Sequence, residues 1–222
     1  MENKINFNPF AQPEVATGYE DWYQTEGRGA DQKEKELLAW LLTGLPDIST
    51  ILEVGCGSGH FTRWFMERDL QAVGLDLSRP MLDEAIKLGG PIYIQGDALM
   101  LPFAPHSFDL VVLITTLEFL PNPRQALAEA ARVARQALVL GVLNAQSRLR
   151  RQYERESGPV WEAARFFTPT ELRWIIREVI GDAKDIVWRT TLWSFWSGAL
   201  PLPWGGFIGM AVNFRDIHQE EK

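Results

Sequence analysis

One stretch constrains the fold more than any other. In "ILEVGCGSGHF", residues 51–61, an apolar run closes on Glu53 and Val54, and Gly55, Gly57 and Gly59 follow at alternate positions. The run reads as a buried strand. The residues after it carry Phe61, Trp64 and Phe65 on one helical face. Glycines at a strand-to-helix turn reach backbone angles closed to other residues and let a ligand lie against bare main chain. The free N–H groups of the helix that starts near His60 attract an anionic group. Such a unit belongs to a parallel sheet wound with crossover helices.

The rest of the chain keeps that rhythm. "ADQKEKELLAWLLTGL" predicts a helix with Leu37, Leu38, Leu41, Leu42 and Leu45 on one face, ended by Pro46. "TILEV", "AVGLDL", "PIYIQGD", "FDLVVLIT" and "ALVLGVL" read as successive strands. Ser78 with Pro80 starts one intervening helix, and Asn122 with Pro123 starts another that runs through Arg135. After the fifth strand, residues 144–167 fit no single element and read as an insertion with a short helix. Thr168, Pro169 and Glu171 form a capping box, and Gly181 stops that helix. "KDIVWRTTLWSFW" and "GGFIGMAVNF" predict two buried strands, antiparallel because their link is too short for a crossover. No residue from 190 to 214 is charged, yet Pro201, Pro203, Gly205 and Gly206 break the stretch, so strands are expected there and not a membrane span.

Composition removes several classes. With 222 residues, a single domain is expected: residues 1–46 a lid and helix, 47–143 a ligand-binding core, 144–167 the insertion, and 168–222 a final helix and strands. The net charge of −7 offers no broad field for a nucleic-acid backbone, although Arg148, Arg150 and Arg151 form a local basic patch. Cys56 is the one cysteine, which excludes an internal disulfide and a multi-thiolate metal site. No other clustered set of metal ligands stands out, so no metal is expected. "MENKINFNPF" has no apolar export core, so a cytoplasmic location is expected. Oligomeric state is not legible.

Two acids sharpen the site. Asp76 ends the second strand, where a doubly wound sheet brings it beside the glycine turn and its carboxylate accepts ribose hydroxyls. Asp97 ends the third strand in "GDALMLPF", where it can take an exocyclic amine while the Ala98 N–H reaches a ring nitrogen. A dinucleotide site would show Gly-x-Gly-x-x-Gly. Here the third glycine comes one residue early.

The set "ILEVGCGSG", "VGLDLS", "GDALMLPFAPHSFDLVV" and "TTLEFLPNPRQALAEAARV" resembles the class I S-adenosylmethionine-dependent methyltransferases, in particular small-molecule enzymes of the quinone-biosynthesis type. The resemblance runs through residues 51–142, and "YEDWYQTEGR" is similar to the family's lid. It implies an α/β fold: a Rossmann-like, doubly wound sheet of seven strands with the last antiparallel, an N-terminal helical lid and an insertion after strand five. It implies S-adenosylmethionine as cofactor. Gly55, Gly57 and Gly59, with Cys56 between them, would pack on its methionine part, and Glu53 would support the turn or the ammonium group. Asp76 would hold the ribose and Leu77 would lie on the adenine. Asp97 and Ala98 would read the adenine edge, with Leu99 on its other face. The backbone at Ile114 and Thr115 would approach the amino group, and Tyr19 and Tyr23 would close over the site. Where the family often has a histidine, this chain has Phe119.

The reaction so implied is direct displacement onto a small, apolar or aromatic acceptor. A cofactor-holding subunit without turnover, or methylation of a protein, are the alternatives. No catalytic residue stands out; Glu118 and His60 are the candidates for a base, and His106 and His218 lie in a loop and a tail. Acceptor choice is expected from residues 17–35 and 145–167, with Trp161, Phe166, Phe167, Trp193 and Trp196 as pocket candidates. Replacing Asp76 by alanine is expected to weaken donor binding about tenfold or more, since a hydrogen bond to a charged group is worth roughly 1.5–3 kcal/mol. Equilibrium titration of the folded variant checks this; unchanged affinity would count against the ribose assignment.

Overall fold

The computed structural model describes residues 8–156, 158–181, 185–192 and 198–214. A 3₁₀ turn, Pro9–Ala11, precedes α1 (Pro13–Gln24) and α2 (Arg28–Thr43). Helix α2 buries Leu37, Leu38 and Leu41, as its spacing predicts. It stops at Gly44, before Pro46 is reached.

Strand β1 (Thr50–Val54) leads through the glycine turn into α3 (His60–Met66). Then come β2 (Gln71–Asp76), α4 (Arg79–Leu88), β3 (Ile92–Gln95), β4 (Phe108–Ile114) and α5 (Pro123–Val133). The Ser78 hydroxyl accepts the Met81 N–H and caps α4, and the Asn122 side chain accepts the Gln125 N–H and caps α5. α5 ends before Arg135, because Ala134 passes directly into β5 (Ala134–Leu143). The insertion holds two helices where one was expected, α6 (Arg148–Glu156) and α7 (Pro159–Ala163). In α8 (Pro169–Ile180) the Thr168 hydroxyl caps the Glu171 N–H. The Glu171 carboxylate pairs with Arg165, so that end of the expected capping box is occupied differently.

Strands β6 (Asp185–Thr191) and β7 (Phe207–Asn213) complete one seven-stranded sheet in the order β3-β2-β1-β4-β5-β7-β6. β1 to β5 run parallel, and β7 runs antiparallel to both neighbours. The uncharged stretch is thereby explained. β7 is buried throughout between β5 and β6. β6 is the sheet edge and half exposed, not buried as the sequence suggests. Among the described residues no helix is long and apolar enough to cross a membrane.

Helices cover both faces. α5 and α8 pack Leu127, Ala130, Leu172 and Ile176 against one face, and α2 and α3 pack Leu38, Leu41, Trp64 and Phe65 against the other. β1 lies between β2 and β4, so the strand order reverses at β1 and leaves a crevice at the carboxyl ends of these strands.

The opposite end of β1 is pinned by Asp109. Its Oδ2 accepts the N–H groups of Ser49 and Thr50 at 3.1 and 3.0 Å, and Oδ1 accepts Gln136 Nε2 at 3.0 Å. Burial acts to raise this carboxyl, but those donors outweigh it and hold its pKa well below the usual range. Its stabilisation is therefore present above the unfolded value of about 3.9 and is lost as pH falls through the depressed one. Asp109→Asn is expected to cost roughly 1.5–3 kcal/mol at pH 7, measured by urea unfolding. The difference from wild type should shrink below about pH 4.

Candidate active site

The turn after β1 is locked onto β2. The N–H groups of Gly55 and Cys56 both donate to the Leu75 carbonyl, at 2.7 and 3.0 Å. Gly57 N–H donates to Asp76 Oδ2 at 2.8 Å, and Ser78 N–H to Asp76 Oδ1 at 2.7 Å. Gly55, Gly57 and Gly59 have φ of 74°, 53° and 79°, where side chains are strained. Their reasons for being glycine differ. A Cβ on Gly55 would lie 2.3 Å from the Thr116 methyl, and one on Gly59 would lie 2.3 Å from the Tyr93 hydroxyl. On Gly57 it would meet nothing nearer than Tyr19 Cε1 at 3.9 Å. Only Gly57 is bare toward open space; the other two make room for protein.

That space is a cavity of about 400 Å³ at the carboxyl ends of β1, β2 and β4. Glu53, Gly55, Cys56, Gly57, Asp76, Leu77, Asp97, Ala98, Leu99, Ile114, Thr115, Tyr19 and Tyr23 all line it. Gly59 is not among the lining residues. Its place is behind the turn, against Tyr93. Leu77 is 56% exposed at the rim. Asp97 Oδ1 accepts the Leu99 N–H at 2.8 Å, which shapes the loop after β3. Thr115 has φ of +50°, so β4 turns sharply at the cavity floor.

The lid closes over this floor. Tyr19 and Tyr23 on α1 meet edge to face with centroids 5.5 Å apart, and burial raises the Tyr19 phenol to about 12. Phe10 meets Tyr19 at 5.9 Å and Phe119 at 4.8 Å. The Ser78 hydroxyl donates to the Phe10 carbonyl at 2.6 Å and straps the 3₁₀ turn beside Asp76. Sequence reasoning did not single out Phe10 or Asn8. Asn8 caps the turn that carries Phe10, and a cap before a proline was the available signal.

Three buried acids behave differently from surface carboxylates. Glu53 is 2% exposed, lines the cavity and is raised to about 8 by burial, with Thr62 donating to Oε2. Glu34, on α2, is likewise raised to about 8 by burial. Glu118 is also raised to about 8 by burial, and its Oε1 accepts the Leu143 N–H at 2.6 Å, which holds the end of β5. It is absent from the residues that line the cavity, although its neighbours Thr116 and Phe119 are among them. His60 lines the cavity, yet its ring nitrogens are engaged by Asp31 at 2.7 Å and Glu20 at 3.6 Å. Burial raises the Cys56 thiol well above its ordinary value, which leaves it inert.

Of the aromatic residues expected to form an acceptor pocket, the described ones lie outside this cavity. Phe167 is wholly buried in the core, Trp161 stacks on Tyr153 at 3.8 Å, and Phe166 sits beneath Arg150. Trp193, Trp196 and His218 fall outside the described residues. His106 is exposed and its Nδ1 bonds to the Ala134 carbonyl.

A doubly wound sheet with a glycine turn and a strand-end carboxylate at its switch point defines a nucleotide-type cofactor site. Comparison with known proteins narrows this. Residues 52–139 match a methyltransferase-domain family model. The chain is 33% identical over 119 residues to a malonyl-[acyl-carrier protein] O-methyltransferase of Salmonella typhimurium, covering 49% of this chain and 47% of that protein. It is 31% identical over 123 residues to a demethylmenaquinone methyltransferase of Renibacterium salmoninarum, covering 55% of this chain and 52% of that one. The chain thus spans about half the length of these relatives. A crystal structure of a Thermotoga maritima S-adenosylmethionine-dependent methyltransferase, described as a possible histamine N-methyltransferase, aligns with a TM-score of 0.78 and 26% identity, covering 92% of this chain and 99% of that one. In fold, and in sequence over residues 52–139, the chain is similar to the S-adenosylmethionine-dependent methyltransferases.

The cavity fits an adenosyl donor. Each Asp76 oxygen already accepts one N–H, and a carboxylate has about four acceptor sites in all, which leaves two for ribose hydroxyls. Glu53 offers a test. A donor ammonium beside it favours the ionised carboxylate, so binding at pH 7 should release a proton from Glu53, and this contribution to affinity should grow as pH rises toward about 8. Isothermal titration in buffers of different ionisation enthalpy is expected to show this release in wild type and its loss in Glu53→Gln. Equal release in both would contradict the assignment.

Proposed function

We propose that the protein transfers the methyl group of S-adenosylmethionine to a small, partly apolar acceptor by direct displacement. The observation that carries this reading is the convergence of Gly57, Asp76 and the Asp97–Leu99 loop on one cavity roofed by aromatic lid residues. The named relatives act on a malonyl-[acyl-carrier protein] and on a demethylated menaquinone. Both names support an organic acceptor over a nucleic acid.

When bound, S-adenosylmethionine supplies an electrophilic methyl group on a sulfonium. The chain's part is to orient and to exclude water. Asp76 would hold the ribose, and Leu77 and Leu99 would flank the adenine. Gly57 presents main chain to the methionine part, and Glu53 faces its ammonium. Tyr19, Phe10 and Phe119 form an apolar roof that shields the reacting centre and favours an acceptor with an apolar body. Positioning of this kind supplies up to about 7–11 kcal/mol in ideal cases. A protein side-chain acceptor would have to pass the same roof.

Incubation with methyl-labelled donor and separate panels of phenols, quinones, thiols, amines and carboxylic acids tests the proposal. Label is expected in at least one small acceptor, with S-adenosylhomocysteine formed in equal amount. Asp76→Ala should lower that turnover about tenfold or more at limiting donor. Donor binding without transfer to any small molecule would overturn the acceptor assignment.

A further inference from the structure

His60 is the first residue of α3, directly after the glycine turn. Its ring is gripped from both lid helices. On α1, Tyr23 stacks on it with centroids 3.7 Å apart and planes within 5°, and Glu20 Oε2 lies 3.6 Å from Nδ1. On α2, Asp31 Oδ1 lies 2.7 Å from Nε2, and Lys35 Nζ lies 2.7 Å from the same nitrogen while bonding Asp31 Oδ2 at 2.9 Å. Glu20 is held in turn by Ser58 Oγ and Arg63 Nη2, each donating at 2.7 Å. One imidazole therefore joins the donor turn to both halves of the lid. The stacked Tyr23 then contacts Tyr19, whose ring faces Gly57.

We propose that His60 is a positioning residue, a latch whose imidazolium draws α1 and α2 onto the donor turn and so sets Tyr23 and Tyr19 over the bound donor. The inference rests on the donor reading of the cavity given above.

The protonation logic is local. A proton on Nε2 lets the ring donate to Asp31, while Lys35, which has only donors, competes for the same nitrogen and favours its lone pair; the charged ring also carries the Nδ1–H that faces the Glu20 carboxylate at 3.6 Å as an ion pair. The groups facing the ring are Glu20 and Tyr23 of α1, Asp31 and Lys35 of α2, Arg63 of α3 and, more remotely, Glu53 of β1. Burial and Lys35 oppose the charge, but the Asp31 and Glu20 carboxylates outweigh them and raise the His60 pKa above 6.5. Glu20 is driven the other way: burial acts to raise it, but His60, Ser58 and Arg63 hold it at about 2, so it stays ionised throughout. The latch is therefore complete below about pH 6.5 and weakens as pH rises through the raised His60 value.

Glu53, raised to about 8, also titrates in this range and affects donor binding in the opposite sense. The informative quantity is thus a ratio. Dissociation constants for S-adenosylhomocysteine are measured by titration calorimetry at pH 6 and pH 9 for wild type and His60→Phe, which keeps a ring against Tyr23 and removes the polar ties. The variant should bind about tenfold weaker than wild type at pH 6, the worth of one charge-assisted hydrogen bond, and less than about threefold weaker at pH 9. A ratio near one at both values, or one that does not change with pH, would overturn the latch. If His60→Phe does not fold, His60→Gln takes its place, with the same ratio and the same criterion. Failure of wild type itself to bind would remove the donor reading, and the latch with it; binding with an unaffected variant removes the latch alone.

Discussion

The hydrogen bond from Gly57 N–H to Asp76 Oδ2, 2.8 Å long, is the contact on which the site depends. It ties the turn after β1 to the end of β2, across the point where the strand order reverses. With Ser78 N–H on the other oxygen, it fixes the carboxylate in one orientation. Main chain and charge thus face the same space. Gly55 and Gly59 serve this arrangement indirectly, since each leaves room for a neighbour, Thr116 or Tyr93, that packs the turn from behind.

Around that contact the molecule divides into a rigid floor and a lid built by different means. The floor is a buried parallel sheet whose ends are set by paired main chain and, at the far end of β1, by the Asp109 cluster. The lid is held by side chains: aromatic edges, a strap from Ser78 to Phe10, and the charged knot of Glu20, Asp31, Lys35, His60 and Arg63. The 3₁₀ turn and α1 can open without disturbing the sheet, because their ties are side-chain contacts, whereas α2 stays packed on it through Leu38 and Leu41.

The floor was legible in the sequence because its determinants are local. A strand, a glycine turn and a terminal acid follow one another within a few residues, so the positions of Asp76 and Asp97 at one cavity could be read from order alone. The lid was not. Phe10 lies far from Phe119 in the chain, and nothing in either neighbourhood foretells their contact. Glu118 sits on the substrate side of the motif, but the backbone N–H of Leu143 claims it. Trp161 and Phe166 have the composition of a pocket wall and instead pack within the insertion. Aromatic residues in a helix or loop carry no period that distinguishes a cavity lining from a packing contact.

The most direct test of the central claim is a crystal structure with S-adenosylhomocysteine bound. Both ribose hydroxyls should lie within hydrogen-bond distance of Asp76, with the adenine between Leu77 and Leu99 and the amino acid end over Gly57 and Glu53. A ligand bound elsewhere, or an Asp76 carboxylate turned away from it, would contradict the account.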